Sequence, residues 1–177
     1  LKQSTVIYDK DGKEASHIAS NRSQGVIIDE LPDHVKNAVI AIEDERFYKH
    51  NGFDIKGITR AFFKNLFSGR ITGGGSTITQ QLTKNALLSS EQTYKRKIEE
   101  LFLAVEIEKH YKKDEIMQMY LNQVYFGSGA WGIDQASKKY FNKDAKSLTI
   151  SESALLAGLL QSPSALDPYR HYDRAMD

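Results

Sequence analysis

The stretch Glu43-Asp44-Glu45-Arg46-Phe47-Tyr48-Lys49-His50-Asn51-Gly52-Phe53-Asp54 concentrates acids, bases and aromatics at the end of an apolar series. Val35, Ala38, Val39 and Ile42 recur at the spacing of one helix face, so they point to a core. Glu43 follows Ile42 and falls at the rim of that face. A carboxylate there, partly withdrawn from water, holds its proton more tightly than usual and suits a general base. The same run also fits an acid-rich, solvated helix end. A second block, Gly73-Gly74-Gly75-Ser76-Thr77-Ile78-Thr79-Gln80-Gln81-Leu82-Thr83-Lys84-Asn85, brings hydroxyls, amides and a cation next to a glycine run. Glycines let backbone amides approach an anion closely. No Gly-Lys-Ser/Thr follows, so this is not a nucleotide-binding P-loop.

Further groups suit an anionic leaving group. Arg60, Lys84, Arg96 and Lys97 are candidates for a diphosphate: arginine offers a planar fork and lysine a point charge. Ser76, Thr77, Gln80 and Gln81 can add neutral contacts in the same region. Glu100, on a separate helix, gives a second acid. It fits a partner to Glu43, or an exposed acid paired with Arg96 or Lys97. Phe62, Phe63, Leu66 and Phe67 are flanked by Arg60, Lys64 and Arg70. Phe62 and Leu66 fit a core stripe. Phe63 and Phe67 lie one position round, where an apolar face rimmed by cations suits an anionic bilayer surface.

The chain has 177 residues, 40% hydrophobic and 27% charged, which is ordinary for one globular domain with a core. Its formal net charge of +1 points to no polyanionic partner such as nucleic acid. It has no cysteine, which excludes disulfides and thiolate metal sites. Histidines 17, 34, 50, 110 and 171 show no metal-ligand spacing, and His50 reads as structural support. No apolar run reaches the roughly 20 residues of a membrane span. Starting at Leu1 and stopping in a helix-like stretch, the chain reads as a piece of a longer protein.

The elements that must position these groups are mostly helical. Thr5 to Tyr8, the Asp11-Gly12 turn and Ser16 to Ile18 predict a small hairpin. Pro32 suits the first turn of a helix running to about Phe47. Asp54 caps a second helix carrying Ile55, Ile58, Phe62 and Leu66. Helices follow at Thr77 to Ala86 and Thr93 to His110, the latter with Ile98, Leu101, Phe102 and Val105 on one face. Two more run over Asp114 to Asn122 and Ile133 to Phe141. Thr149-Ile150-Ser151-Glu152 forms a capping box for a last helix to about Leu160, which Pro163 stops. Asn122 is read as joining neighbouring helices, and Ala154, Ala157 and Gly158 as small residues for close helix packing. Residues 1–27 read as a hairpin and linker, residues 28–177 as the main domain.

The two chemical blocks resemble the first two signature motifs of the peptidoglycan glycosyltransferase domain, found in class A penicillin-binding proteins and in monofunctional enzymes. Three more match in the family's order: Arg96-Lys97-Ile98-Glu99-Glu100, Tyr120-Leu121-Asn122-Gln123-Val124-Tyr125-Phe126-Gly127, and Ala154-Leu155-Leu156-Ala157-Gly158-Leu159-Leu160 with Pro163 and Pro168. The resemblance covers about Ile28 to Arg174. It implies a mainly α, lysozyme-like multi-helix domain with a smaller membrane-facing lobe. It implies an enzyme that polymerises lipid II into β-1,4 glycan with inversion and releases undecaprenyl diphosphate. Glu43 would then be the catalytic base for the acceptor 4-hydroxyl, Asp44 would organise the site, and Glu100 would support the pyrophosphate. A divalent cation, Mg or Mn, near Glu100 is implied as well, with no organic cofactor. The implied partners are lipid II, the growing glycan chain, the outer leaflet of the cytoplasmic membrane, a C-terminal transpeptidase domain and inhibitors of moenomycin type. The spacing from Arg96-Lys97 selects Glu100 over Glu99. The chain departs from the family at Leu166-Asp167-Pro168, where Asn is frequent before the last proline. Two other readings fit a catalytic glutamate on a helical fold less fully: a muramidase that cleaves glycan, and a module that only binds lipid-linked saccharide. The diphosphate-type cations and the Phe62 to Phe67 face favour the polymerase.

Overall fold

The computed structural model describes residues 5–8, 14–18, 25–60, 75–87 and 93–176. The glycines at 73 and 74, Phe62, Phe63, Leu66 and Phe67 lie outside the described residues, and with them the membrane-facing residues expected from sequence. The chain opens with an antiparallel hairpin, β1 (Thr5–Tyr8) on β2 (Glu14–Ile18), in the register Thr5 to Ile18. Among the described residues all else is helical or connecting. In chain order the helices are α1 (Asp33–Glu43), α2 (55–60 among the described residues), α3 (Ile78–Leu87), α4 (Tyr94–His110), α5 (Lys113–Gln123), α6 (Ile133–Phe141), α7 (Ile150–Gln161) and α8 (Tyr172–Met176). This is the mainly α architecture that the sequence predicts.

α5 is the centre. Its Ile116, Met117, Tyr120 and Leu121 are all buried. α3 packs against both α4 and α5, while α1 packs on α7. Val35 and Val39 of α1 enter the core as their spacing predicts, with Ala38 and Ile42 packed against it, and Leu156, Ala157 and Leu159 of α7 join them. The α7 capping box forms: Thr149 Oγ1 accepts from the Glu152 amide, and Glu152 Oε2 accepts from the Thr149 amide. Its small residues do less than expected. Ala154 is exposed, and a Cβ on Gly158 would meet nothing within 4 Å. Only Ala157 of the three is at a packed position.

Three expectations shift. α1 stops at Glu43 rather than near Phe47, because Asp44 leaves helical geometry (φ −158°, ψ 71°) and turns its carboxylate to other elements. A short 3-10 turn, Phe47–Lys49, follows and buries Phe47. Pro32 sits one place ahead of the first turn, at the N-cap. The apolar face predicted for α4 is not the buried one: Ile98 and Phe102 are 55% and 74% exposed, and the residues facing inward are Glu100 and Ala104. A buried acid has taken the inward position, and the apolar stripe is left outside. Ile55 and Ile58 of α2 are exposed too, at 66% and 42%.

Asn122 does not join helices. Its Oδ1 accepts from the Val26 amide at 2.7 Å and its Nδ2 donates to the Val26 carbonyl at 3.0 Å. With Gln118 Oε1 accepting from the Ile28 amide, it pairs an extended segment onto α5 as a strand partner would. Asp167 explains the departure before Pro168: it is buried, accepts from Ser128 Oγ and from the Tyr169 amide, and so closes the turn as Asn would. Asn122→Ala leaves both Val26 backbone groups unpaired. We expect it to lower stability by about 1–3 kcal/mol, measured as the midpoint of urea unfolding, with helix content unchanged.

Candidate active site

The site forms where the C-terminus of α1 meets the N-terminus of α3. Asp44 is buried and takes both sides of the junction. Its Oδ2 accepts from the Ile78 amide at 3.0 Å, and His50 Nε2 lies 2.9 Å from Oδ2 and 3.0 Å from Oδ1. A carboxylate at a helix N-terminus meets unpaired amides and the positive end of the helix dipole. Asp44 therefore holds protein groups at both oxygens. Glu43, one residue earlier, points the other way. It is half-buried, and its Oε2 accepts from Gln81 Nε2 at 2.6 Å. Burial pushes its carboxyl above the ordinary range; the Gln81 hydrogen bond pulls it back, and the Asp44 charge pushes it further up.

Thr77 and Gln80 form a second capping box, at the start of α3. Thr77 Oγ1 accepts from the Gln80 amide at 3.2 Å, and Gln80 Oε1 accepts from the Thr77 amide at 2.9 Å. Thr77 Oγ1 also donates to the Gly52 carbonyl at 2.7 Å. Gly52 has φ +92°, and a Cβ there would stand 2.8 Å from the backbone of α4, so only glycine lets this loop lie against that helix. Both cap side chains are buried, so the structure uses them for folding.

Glu100 comes from α4 and is buried, while Glu99 is exposed. Its Oε1 takes Lys97 Nζ and faces Gln80 Nε2 at 3.4 Å. Lys97 Nζ also donates to Ser76 Oγ at 2.9 Å. Consecutive glutamines thus hold the two acids: Gln80 faces Glu100, and Gln81 holds Glu43. Of the remaining cations, Lys84 is exposed on the last turn of α3 and Arg96 is half-buried at the start of α4. Arg60 is on the surface, with Nη1 2.5 Å from Glu45 Oε2. The structure brings Ser76, Lys97 and Glu100 together and engages Arg60 elsewhere.

Sequence reading missed one buried ionic group. His50 Nδ1 faces Glu108 Oε1 at 3.9 Å, Thr79 Oγ1 donates to the same oxygen at 2.5 Å, and Lys113 Nζ lies 2.5 Å from Glu108 Oε2. Lys113 also stands 4.5 Å over the Phe47 ring. Glu108 lies two turns beyond Glu100 on α4, and that helical offset was the available signal. Lys113 lies in a lysine cluster with Lys109 and Lys112, a pattern usual for a solvated face, yet its side chain is only 20% exposed. Among the described residues, no set of three or more His, Asp and Glu side chains stands together as a metal cage.

Residues 11–177 match the family model described as transglycosylase. The chain belongs to the transglycosylase family. Penicillin-binding protein 1A/1B of Bacillus subtilis (strain 168) is 47% identical over 173 residues, covering 97% of this chain and 19% of that protein. Penicillin-binding protein 1F of the same organism is 44% identical over 174 residues, covering 98% of the chain and 24% of that protein. Penicillin-binding protein 1A of Aquifex aeolicus (strain VF5) is 45% identical over 174 residues, with 98% and 24% covered. The transglycosylase chain thus spans a quarter or less of the length of these relatives. It is a transglycosylase domain of the kind that class A penicillin-binding proteins carry. Among its described residues no helix is long and apolar enough to cross a membrane.

Three outcomes follow from this geometry. His50→Ala removes the group between two buried carboxylates, and we expect a loss of about 3–5 kcal/mol in denaturant unfolding. Arg60→Ala, at an exposed pair, should leave the unfolding midpoint where it is. Glu43→Gln keeps the Gln81 contact and removes a charge held at a cost. The folded carboxyl holds its proton above the unfolded value, so the cost is full above the raised folded pKa and gone below the ordinary value of 4.5. Glu43→Gln should therefore raise the thermal midpoint at neutral pH. Scanning calorimetry below the ordinary carboxylate range should show the advantage lost.

Proposed function

We propose that this transglycosylase domain polymerises lipid II into peptidoglycan glycan strands, with Glu43 as the general base. The observation that carries the reading is Glu43 itself, a half-buried carboxylate whose resolved partner is a neutral amide, within a transglycosylase chain that also buries a second acid, Glu100. A base needs affinity for a proton and freedom from a permanent cation, and among the described residues Glu43 has both.

The acceptor saccharide presents its 4-hydroxyl to Glu43, which takes the proton as the oxygen attacks the anomeric carbon of the donor. The bond from that carbon to the diphosphate breaks on the opposite face, so an α-linked donor becomes a β-1,4 linkage. Undecaprenyl diphosphate leaves with the electron pair. Lys97 and Arg96 supply positive charge for the departing group, with Lys84 nearby on α3 and Ser76 as a neutral contact. Glu100 aims Lys97. A divalent cation of the Mg type, held by Glu100 and by phosphate oxygens, would add charge neutralisation at the diphosphate. Such ions are commonly bound through one carboxylate plus substrate phosphates. Lipid II is tethered in the bilayer, so the domain works at the outer face of the cytoplasmic membrane. A transpeptidase domain further along the parent chain and inhibition by moenomycin-type phosphoglycolipids belong to the same reading.

The test is turnover of labelled lipid II in detergent or vesicles, with products sized on a gel. Wild type is expected to make long chains. Glu43→Gln should lose about 10²- to 10⁴-fold in rate, the usual worth of general-base catalysis, with folding retained. Full polymerisation by Glu43→Gln would remove the base assignment. Release of sugar fragments from purified cell wall would replace the polymerase with a hydrolase.

A further inference from the structure

Tyr120 belongs to a block whose sequence reads as mainly structural, and its ring is buried in the core beside the site. Its hydroxyl donates to Gln81 Oε1 at 3.1 Å, and the other end of the same amide donates from Nε2 to Glu43 Oε2 at 2.6 Å. The chain of contacts runs from α5 through α3 to α1. The two ends of a glutamine amide are alike in size and opposite in hydrogen bonding. An ionised carboxylate only accepts, so it must meet the NH2 end. If the amide turned over, its carbonyl oxygen would stand against Glu43 and favour the protonated acid. The local geometry of Gln81 and Glu43 alone leaves that choice open, because Gln81 is half-buried at the edge of the site. Tyr120 closes it. The phenol is 1% exposed and has little access to water, so its proton is committed to an acceptor within the protein.

We propose that Tyr120 is a positioning residue that acts through Gln81: by donating to Oε1 it keeps the amide NH2 on Glu43, and so keeps the base aimed and ready to accept a proton. The role rests on reading Glu43 as the base. The other groups acting on Glu43 are consistent with it. Asp44 stands next to it on the same helix end, with His50 covering Asp44 on the far side. Asp44 opposes ionisation of Glu43, which leaves the Gln81 donor as the resolved contact that favours it. The Tyr120 hydroxyl is itself held protonated by burial, and then by the Glu43 and Asp44 charges, so it remains a donor at any working pH.

The decisive measurement is the titration of Glu43, followed by the carboxyl carbon resonance in glutamate-labelled protein and assigned with Glu43→Gln. Tyr120→Phe removes one oxygen and keeps the ring. We expect the Glu43 midpoint to move to higher pH. The acid limb of the lipid II turnover profile should move with it, kcat on that limb should fall about 2- to 10-fold, the worth of one hydrogen bond, and KM should hold. Gln81→Met is the second variant, at a half-buried position. It should move the midpoint the same way, and adding Tyr120→Phe to it should move it no further. An unchanged Glu43 midpoint in Tyr120→Phe, with only a lower thermal midpoint, overturns the proposal and leaves Tyr120 a core residue. Should Tyr120→Phe fail to fold, an unchanged midpoint in Gln81→Met overturns it equally. A wild type that titrates as described but makes no polymer overturns the polymerase reading, while the titration still decides the role of Tyr120.

Discussion

The Asp44 carboxylate accepts from two directions at once, the imidazole of His50 and the amide that opens α3, and the site is arranged around that double acceptance. A buried carboxylate is costly unless its oxygens are paired, so Asp44 fixes its partners as much as they fix it. The end of α1 and the start of α3 are held at one atom's reach. Glu43 lies one residue before this junction, and Gln80 and Gln81 lie two and three residues after Ile78. The distance between Glu43 and the two amides is therefore set by a contact within the scaffold. His50 passes the constraint on to Glu108 and Lys113, which places α4 and α5 in the same ionic group.

The two site acids are kept in different electrostatic conditions by neighbours of different kind. Glu100 has an ammonium, Lys97, against it and is almost wholly buried. Glu43 has an amide and partial access to solvent. Pairs of carboxyls in unlike environments are the usual means by which one site divides acid, base and charge-holding tasks. Here the division follows from which of two adjacent glutamines each acid meets. The cap of α3 also serves the site: Gln80 gives its oxygen to the Thr77 amide and turns its nitrogen toward Glu100, so one side chain is both helix cap and site support.

Much of this was legible in the residues. Helix number and type follow from periodicity and breakers, and α6 and the Thr149 cap occur where the sequence puts them. Glu43 at the rim of an apolar face and Glu100 on another helix were readable because an acid beside an apolar stripe has few places to go. What failed did so for one physical reason: hydrogen-bond partners far apart in sequence are invisible to local pattern. Thr77-Ile78-Thr79-Gln80 is as good a capping box as Thr149-Ile150-Ser151-Glu152, yet beside a glycine run it looked like ligand-binding chemistry. α4 was read from its apolar stripe, and the inward turn of Glu100 depends on Gln80 and Lys97, which no periodicity reports. Asn122 looked like a link between helices and instead completes the backbone of Val26, 96 residues away.

The adjacent glutamines have a geometric consequence. Residues 80 and 81 are one step apart on a helix, so their side chains leave it about 100° apart, and the two acids are reached from a single turn. A rotation of α3, or the loss of one residue before it, would misplace both supports together. The phase of α3 about its axis thus sets the position of both supports at once. The acids can exchange neighbours only by a change large enough to rebuild the start of α3, which would also cost its cap and its hold on Asp44.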